Sequence, residues 1–242
     1  KINFFANKGG KMRKLASKMR DAVEDAEENK VDVRREDKTI MPFGIEITEY
    51  TKPLVEMSSV TVIKDHKPTK KKVEITVRKG TRLRVTGPNG IGKTTLLEAL
   101  AGGKEKGAIL GHGLNVGYYR QDFSGLPHDK TPYDILAGEM EMENRQEIYA
   151  TAAKFLLPGD KLHNPVAALS EGQKGLLCFA RFVLQKPTLL ILDEPTNHIN
   201  FRHIPVIAEA LSNYNGGMIV VSHDQDFINQ LEITEELDLG AL

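Results

Sequence analysis

The sequence predicts an α/β domain: a mostly parallel sheet core with an antiparallel β part. Three observations carry this. Residues 83–86, 189–192 and 218–221 are runs of strand length followed by turn-forming or polar residues. Helical runs alternate with them, an order that brings successive strands parallel and buries both faces of the sheet. A Gly-rich loop closes the first of these strands and opens a helix, the placement that a phosphate-binding loop requires.

The elements follow in order. Residues 1–20 carry seven Lys or Arg and no acid, whereas residues 21–38 carry eight acids against four bases. Met12, Leu15, Ala16, Met19, Ala22, Val23 and Ala26 recur at spacings of three and four, the pattern of an amphipathic helix. Such a segment is either a solvated helix or an arm whose basic end meets phosphate backbone. The texture changes near Leu54. Residues 60–63 and 73–77 read as strands separated by a Pro- and Lys-rich turn over residues 67–72. That turn reads as a solvated hairpin end, with contact to the phosphates of a nucleic acid as the alternative. Helical patterns cover 94–100, 131–157, 173–185 and 204–211, and no repeat of fixed period occurs.

Composition narrows the class. The 242 residues suffice for one large domain or two small ones, and 33 basic residues balance 33 acidic ones. A uniformly basic nucleic-acid coat is thereby excluded. No run approaches the ~18 apolar residues of a membrane span and no signal peptide opens the chain, so a cytoplasmic protein without a membrane partner is expected. Lys1 in place of Met suggests a fragment or a processed chain. The one cysteine, Cys178, lies among Leu177, Phe179 and Phe182 and reads as a core residue in a reducing compartment. Met140 and Met142 read as packing residues, and His198 and His203, five apart, are assigned no metal.

Gly87-Pro88-Asn89-Gly90-Ile91-Gly92-Lys93-Thr94 fits G-x-x-x-x-G-K-[ST] between a strand and a helix. Glycines let the backbone wrap so that successive N–H groups point inward at an anion, and the following helix adds its positive end. Lys93 is expected to reach the β- and γ-phosphates of a nucleotide, Thr94 to ligate Mg²⁺, and Thr95 to join the nucleotide-binding residues. One hundred residues further on, the apolar run 189–192 ends in Asp193-Glu194. Two acids closing a buried strand need a cation, which Mg²⁺ on a phosphate supplies. Asp193 is placed to hold the metal and Glu194 to polarise an attacking water.

Further motifs carry a resemblance. Leu169-Ser170-Glu171-Gly172-Gln173 resembles the signature of ATP-binding-cassette ATPases, usually LSGGQ, and Asp193-Glu194-Pro195-Thr196-Asn197-His198 resembles their extended Walker B motif. Val221-Ser222-His223-Asp224 is similar to the switch-histidine segment, and Gln121 to the glutamine of the Q-loop. The resemblance implies a P-loop NTPase of the cassette type over residues 51–242, with a helical subdomain at about 124–180. The run EPTNH, the short gap from Lys93 to Gln121, and Phe227 after SHD resemble the ABC-F group. Residues 1–50 are similar to the end of that group's charged helical linker, so the chain resembles a C-terminal cassette.

From this resemblance Glu194, His223 and Gln121 are catalytic candidates, and Thr94, Gln121 and Asp193 hold Mg²⁺. Ser170, Gly172 and Gln173 would contact the ATP of an opposite cassette, in the same full-length chain or in a homodimer. The group mostly acts on ribosomes, which implies an ATPase working as a nucleotide-gated switch on a ribosome or its RNA, in translation or ribosome assembly. The alternatives are an ATPase subunit of a membrane transporter and a weakly hydrolysing ATP-dependent interaction module. This chain departs from the pattern at Glu171, in place of the first signature glycine, at Leu176, where arginine is common, and at Asn200, in place of the aspartate after Walker B. Residues 60–65 also lack the aromatic that usually stacks on the base.

Overall fold

The computed structural model describes residues 38–64 and 66–242. The predicted amphipathic helix at residues 12–26 lies outside them. The chain divides into two units, Lys1–Thr39 and Ile40–Leu242, and every element below belongs to the second. That unit begins ahead of residue 51. Ile40 and Ile45 are buried, and the Phe43 ring meets Phe155 at a centroid distance of 4.7 Å, because these apolar side chains cap the helical core.

Two sheets form. The antiparallel sheet has the order β2-β1-β4, from β1 (Val55–Lys64), β2 (Lys67–Val77) and β4 (Ala108–Leu110). The parallel sheet has the order β5-β6-β7-β3-β8, from β3 (Arg82–Thr86), β5 (Val116–Tyr119), β6 (Leu189–Asp193), β7 (Gly217–Val221) and β8 (Glu235–Asp238). Every residue of β6 and β7 is buried, the pattern of central strands covered on both faces.

Residues 67–72 are strand rather than turn. Val60↔Lys71, Thr61↔Lys70 and Lys64↔Lys67 are paired, so β1 and β2 run as a ribbon out to the Lys64–Lys67 pair. Lysine is a poor strand former, but β2 is an edge strand with solvent beside it, where lysine blocks unwanted pairing.

Helix α1 (Lys93–Ala101) follows the phosphate loop and buries Leu96, Leu97 and Leu100. The predicted helical stretch 131–157 is two helices, α2 (Pro132–Ala137) and α3 (Arg145–Lys154). Gly138 closes the first, and the Asn144 side chain caps the second, so the two pieces can pack at an angle on one core. Next come α4 (Gly159–His163) and α5 (Glu171–Gln185), the latter burying Leu177, Phe179 and Phe182 together with Cys178. Burial pushes the Cys178 thiol up to about 12, in keeping with a core role.

Helices α6 (Ile204–Ser212) and α7 (Gln225–Gln230) end against the guanidinium of Arg82. It donates to the carbonyls of Leu211 at 2.8 Å, Ser212 at 2.6 Å, Tyr214 at 3.1 Å and Leu231 at 3.1 Å. One buried cation thus satisfies helix-terminal acceptors that have no partner within their helices. Among the described residues no helix is long and apolar enough to cross a membrane.

Candidate nucleotide site

Parallel strands place their following loops on one edge of the sheet. The phosphate loop leaves β3, residues 120–123 leave β5, Asp193-Glu194 end β6, and Ser222-His223 follow β7. At that edge lies a cavity of about 500 Å³. Asn89, Gly90, Gly92, Lys93, Thr94 and Thr95 line one side, and Gln121, Asp193, Glu194 and His223 the other.

The loop's backbone explains its composition. Gly87 has φ 135°, and a Cβ there would stand 3.2 Å from Gly240 N and from Ile91 Cγ2. Gly92 has φ 103°, with Ile63 Cγ1 3.3 Å from where a Cβ would be. Ile91 is buried beneath the loop. Lys93 Nζ donates to Gly87 O at 2.7 Å and to Pro88 O at 3.2 Å, folding the ammonium back over the loop.

Across the cavity, Asp193 and Glu194 are both buried. Burial raises Asp193 above the ordinary carboxylate range, opposed by a hydrogen bond from Thr94. Burial also raises Glu194, opposed by the His223 backbone N–H and imidazole. Glu194 holds a left-handed backbone, φ 49°, which is strained for any residue but glycine. The pair is short of positive charge, which suits a divalent cation carried in on a phosphate. Among the described residues no group of three or more His, Cys, Asp or Glu is arranged to hold a metal. Magnesium is commonly held by one or two protein oxygens together with substrate phosphates, and Thr94, Asp193 and Gln121 fit that mode.

The loop bearing Gln121 is pinned to α1. Arg120 Nη1 pairs with Glu98 Oε1 at 2.8 Å, also donates to Ser124 Oγ at 3.1 Å, and its guanidinium lies 4.9 Å from the Tyr118 ring centre.

Ser170, Gly172 and Gln173 stand elsewhere. None of them lines the phosphate cavity. Ser170 is the N-cap of α5: its hydroxyl accepts from Gln173 N at 3.3 Å, and its own N–H donates to Gln173 Oε1 at 3.1 Å. Sequence reasoning misses Ile63 and Val221 as lining residues, and it gives Asn197 no role. Asn197 can be found from its place in the Walker B run, whereas nothing in an isoleucine or a valine marks a nucleotide wall.

The family described as ABC transporter matches residues 70–197, more than half of the chain. The chain belongs to this family. The cassette is 36% identical to ABC transporter F family member 4 of Arabidopsis thaliana over 201 residues, 79% of this chain and 28% of that one. It spans about a third of the length of the curated relatives it matches. Among solved structures, it superposes on the dimeric bacterial ABC transporter cassette MJ0796 with a TM-score of 0.62 at 19% identity, covering 78% of this chain and 95% of that one. It also superposes on the archaeal ribosome recycling factor aABCE1, solved with the ribosomal stalk protein aP1. There the TM-score is 0.60 at 20% identity, covering 82% of this chain and 39% of that one. At such identities the two structures establish the cassette fold, and the F-type relative refines the branch.

Proposed function

We propose that this cassette binds Mg²⁺-ATP in the cavity at the sheet edge and hydrolyses it when a second cassette closes over the γ-phosphate. The observation that carries the reading is one cavity joining a lysine-topped phosphate loop, the Thr94–Asp193 contact and the Glu194–His223 contact. The loop N–H groups and Lys93 hold the phosphates. Glu194, raised by burial, is suited to take a proton from water, and His223 orients its carboxylate. When bound, Mg²⁺ supplies charge neutralisation on the phosphates. Ser170, Gly172 and Gln173, which do not line this cavity, are left for the nucleotide of the other cassette, within the same full-length chain or in a homodimer.

The wider role we assign is a cytoplasmic nucleotide-gated switch acting on ribosomes, in translation or ribosome assembly. The F-type relative supports it, and so does the likeness to a recycling factor solved with a ribosomal stalk protein. Charge on the β1–β2 ribbon adds support. Lys64, Lys67, Lys70 and Lys72 are exposed there, without an ion-pair partner among the described residues, and suit a phosphate backbone.

Two measurements test the reading. Phosphate release by the isolated cassette should be near background and rise as the square of protein concentration over a hundredfold range. Turnover strictly proportional to protein would end the composite-site reading. The full-length protein should co-sediment with ribosomes in a nucleotide-dependent manner, and its absence from ribosomal fractions with and without ATP would end the ribosomal reading.

A further inference from the structure

Glu171 is the first residue of α5, directly after Ser170. A carboxylate there is favoured by the positive end of the helix, and it competes for the same N–H groups that would meet an incoming phosphate. Yet the side chain is held to one side. Glu171 Oε2 lies 2.9 Å from Nδ1 of His198, which comes from the loop after β6. His198 has a left-handed backbone, φ 65°, unfavourable for a residue that carries a Cβ. The carbonyl of His198 approaches α5 so closely that a Cβ on Gly172 would stand 2.9 Å from it. The imidazole also faces the Phe123 ring at a centroid distance of 6.2 Å. The start of α5, the loop after β6 and the loop after β5 therefore meet at this one contact. It stands on the wall of a second cavity, of about 430 Å³, that Gln121 and Asp193 also line. With side chains 44% and 64% exposed, such a pair adds little to stability. Backbone strain at the junction of three nucleotide-site loops points to function instead.

We propose that His198 is a positioning residue: it draws the Glu171 carboxylate off the front of α5, so that the triphosphate of an opposing cassette meets Ser170 and the helix N–H groups. The inference rests on the composite-site reading above. Without His198 the carboxylate returns to the helix start and faces a polyanion. Two like charges a few ångströms apart in a closing interface weaken association by about ten- to hundredfold.

The test uses the full-length protein and reads the ATP concentration that half-closes the two cassettes, by energy transfer between dyes placed on each. Wild-type closure on adding ATP checks the composite-site reading independently, and its absence overturns that reading and this proposal together. Given closure, His198→Ala should raise the half-closing ATP concentration at least tenfold. His198→Gln, which keeps a donor, should lie near wild type. Combining His198→Ala with Glu171→Gln should restore wild-type closure without a matching change in Tm. A defect that persists in that double variant, or no defect in His198→Ala, overturns the proposal while leaving the composite site standing.

Discussion

Glu194 and His223 are joined twice: the His223 backbone N–H donates to Glu194 Oε2 at 3.2 Å, and His223 Nε2 stands 3.3 Å from Glu194 Oε1. Both oxygens of the carboxylate are thereby oriented from the end of β7, although the residue itself follows β6. A carboxylate held at two points loses little entropy when it meets a water, which suits a base that must act in one direction.

Glu194→Gln should therefore keep nucleotide affinity while hydrolysis by the full-length protein falls by ~10²–10⁴, the usual worth of a general base. Calorimetric ATP titration beside steady-state phosphate release separates the two. Normal turnover in the variant would move the base elsewhere.

Lys93→Ala should weaken ATP binding by about ten- to hundredfold, since charge-assisted bonds to phosphate contribute roughly 1.5–3 kcal/mol each. The loop should survive, because the lysine's bond to Gly87 O is only part-buried and its bond to Pro88 O is exposed, so water can replace the ammonium at both. Unchanged affinity by calorimetry would remove Lys93 from the site.

Asp193→Asn should stabilise the nucleotide-free cassette and impair Mg²⁺-ATP binding. Burial raises the Asp193 pKa in the folded state, so that state binds protons more tightly than the unfolded chain. Stability then falls as pH rises from the unfolded value of 3.8 through the raised folded value, and the loss persists above it. The asparagine escapes that loss, so its Tm advantage should widen as pH rises above 3.8. An advantage independent of pH would contradict the burial argument.

Replacing Lys67, Lys70 and Lys72 with glutamine should leave ATP affinity intact and reduce ribosome binding. The slope of log affinity against log salt should shrink by roughly 0.7–0.9 for each phosphate that the variant no longer neutralises. If binding and slope both stay unchanged, the lysines serve only to keep an edge strand from pairing.

Arg82→Leu should destabilise the cassette by about 2–4 kcal/mol, lowering Tm by about 5–15 °C, because carbonyls of Leu211, Ser212, Tyr214 and Leu231 lose their shared donor in a dry region. Thermal unfolding measures it directly. A change below about 1 kcal/mol would mean that water reaches those acceptors.

The parts legible in the sequence are those whose chemistry is local. A phosphate loop declares itself because Gly87, Gly92, Lys93 and Thr94 act through one turn of backbone, and Asp193-Glu194 stand out because acids seldom end a wholly apolar strand. The lysine ribbon is misread as a turn because intrinsic propensity speaks against strand at residues 67–72, whereas pairing with β1 and an open solvent edge allow it. The break between α2 and α3 is hidden because residues 139–143 contain nothing that forbids helix. Packing of Phe43 on Phe155 joins positions over a hundred residues apart, and the meeting of Glu171 with His198 depends on how two loops travel. Neither leaves a trace in spacing or composition.

The peptide of Ile63 links the two ends of this molecule's chemistry. Its N–H is bound to Ile91 O at 2.9 Å, inside the phosphate loop, and its side chain faces the nucleotide cavity, while its neighbour Lys64 begins the cationic tip. No flexible spacer separates the element that would grip a polyanion from the one that would grip a triphosphate. A shift of the ribbon would act on the loop directly through that bond. Thermodynamic reciprocity then sets the terms: whatever factor nucleotide imposes on the affinity of the tip for its anion, that anion returns in full on the affinity for nucleotide. The ribbon would in this sense be a lever with its fulcrum at residue 63, and an anion bound at its outer end would act on nucleotide occupancy through the Ile63–Ile91 bond.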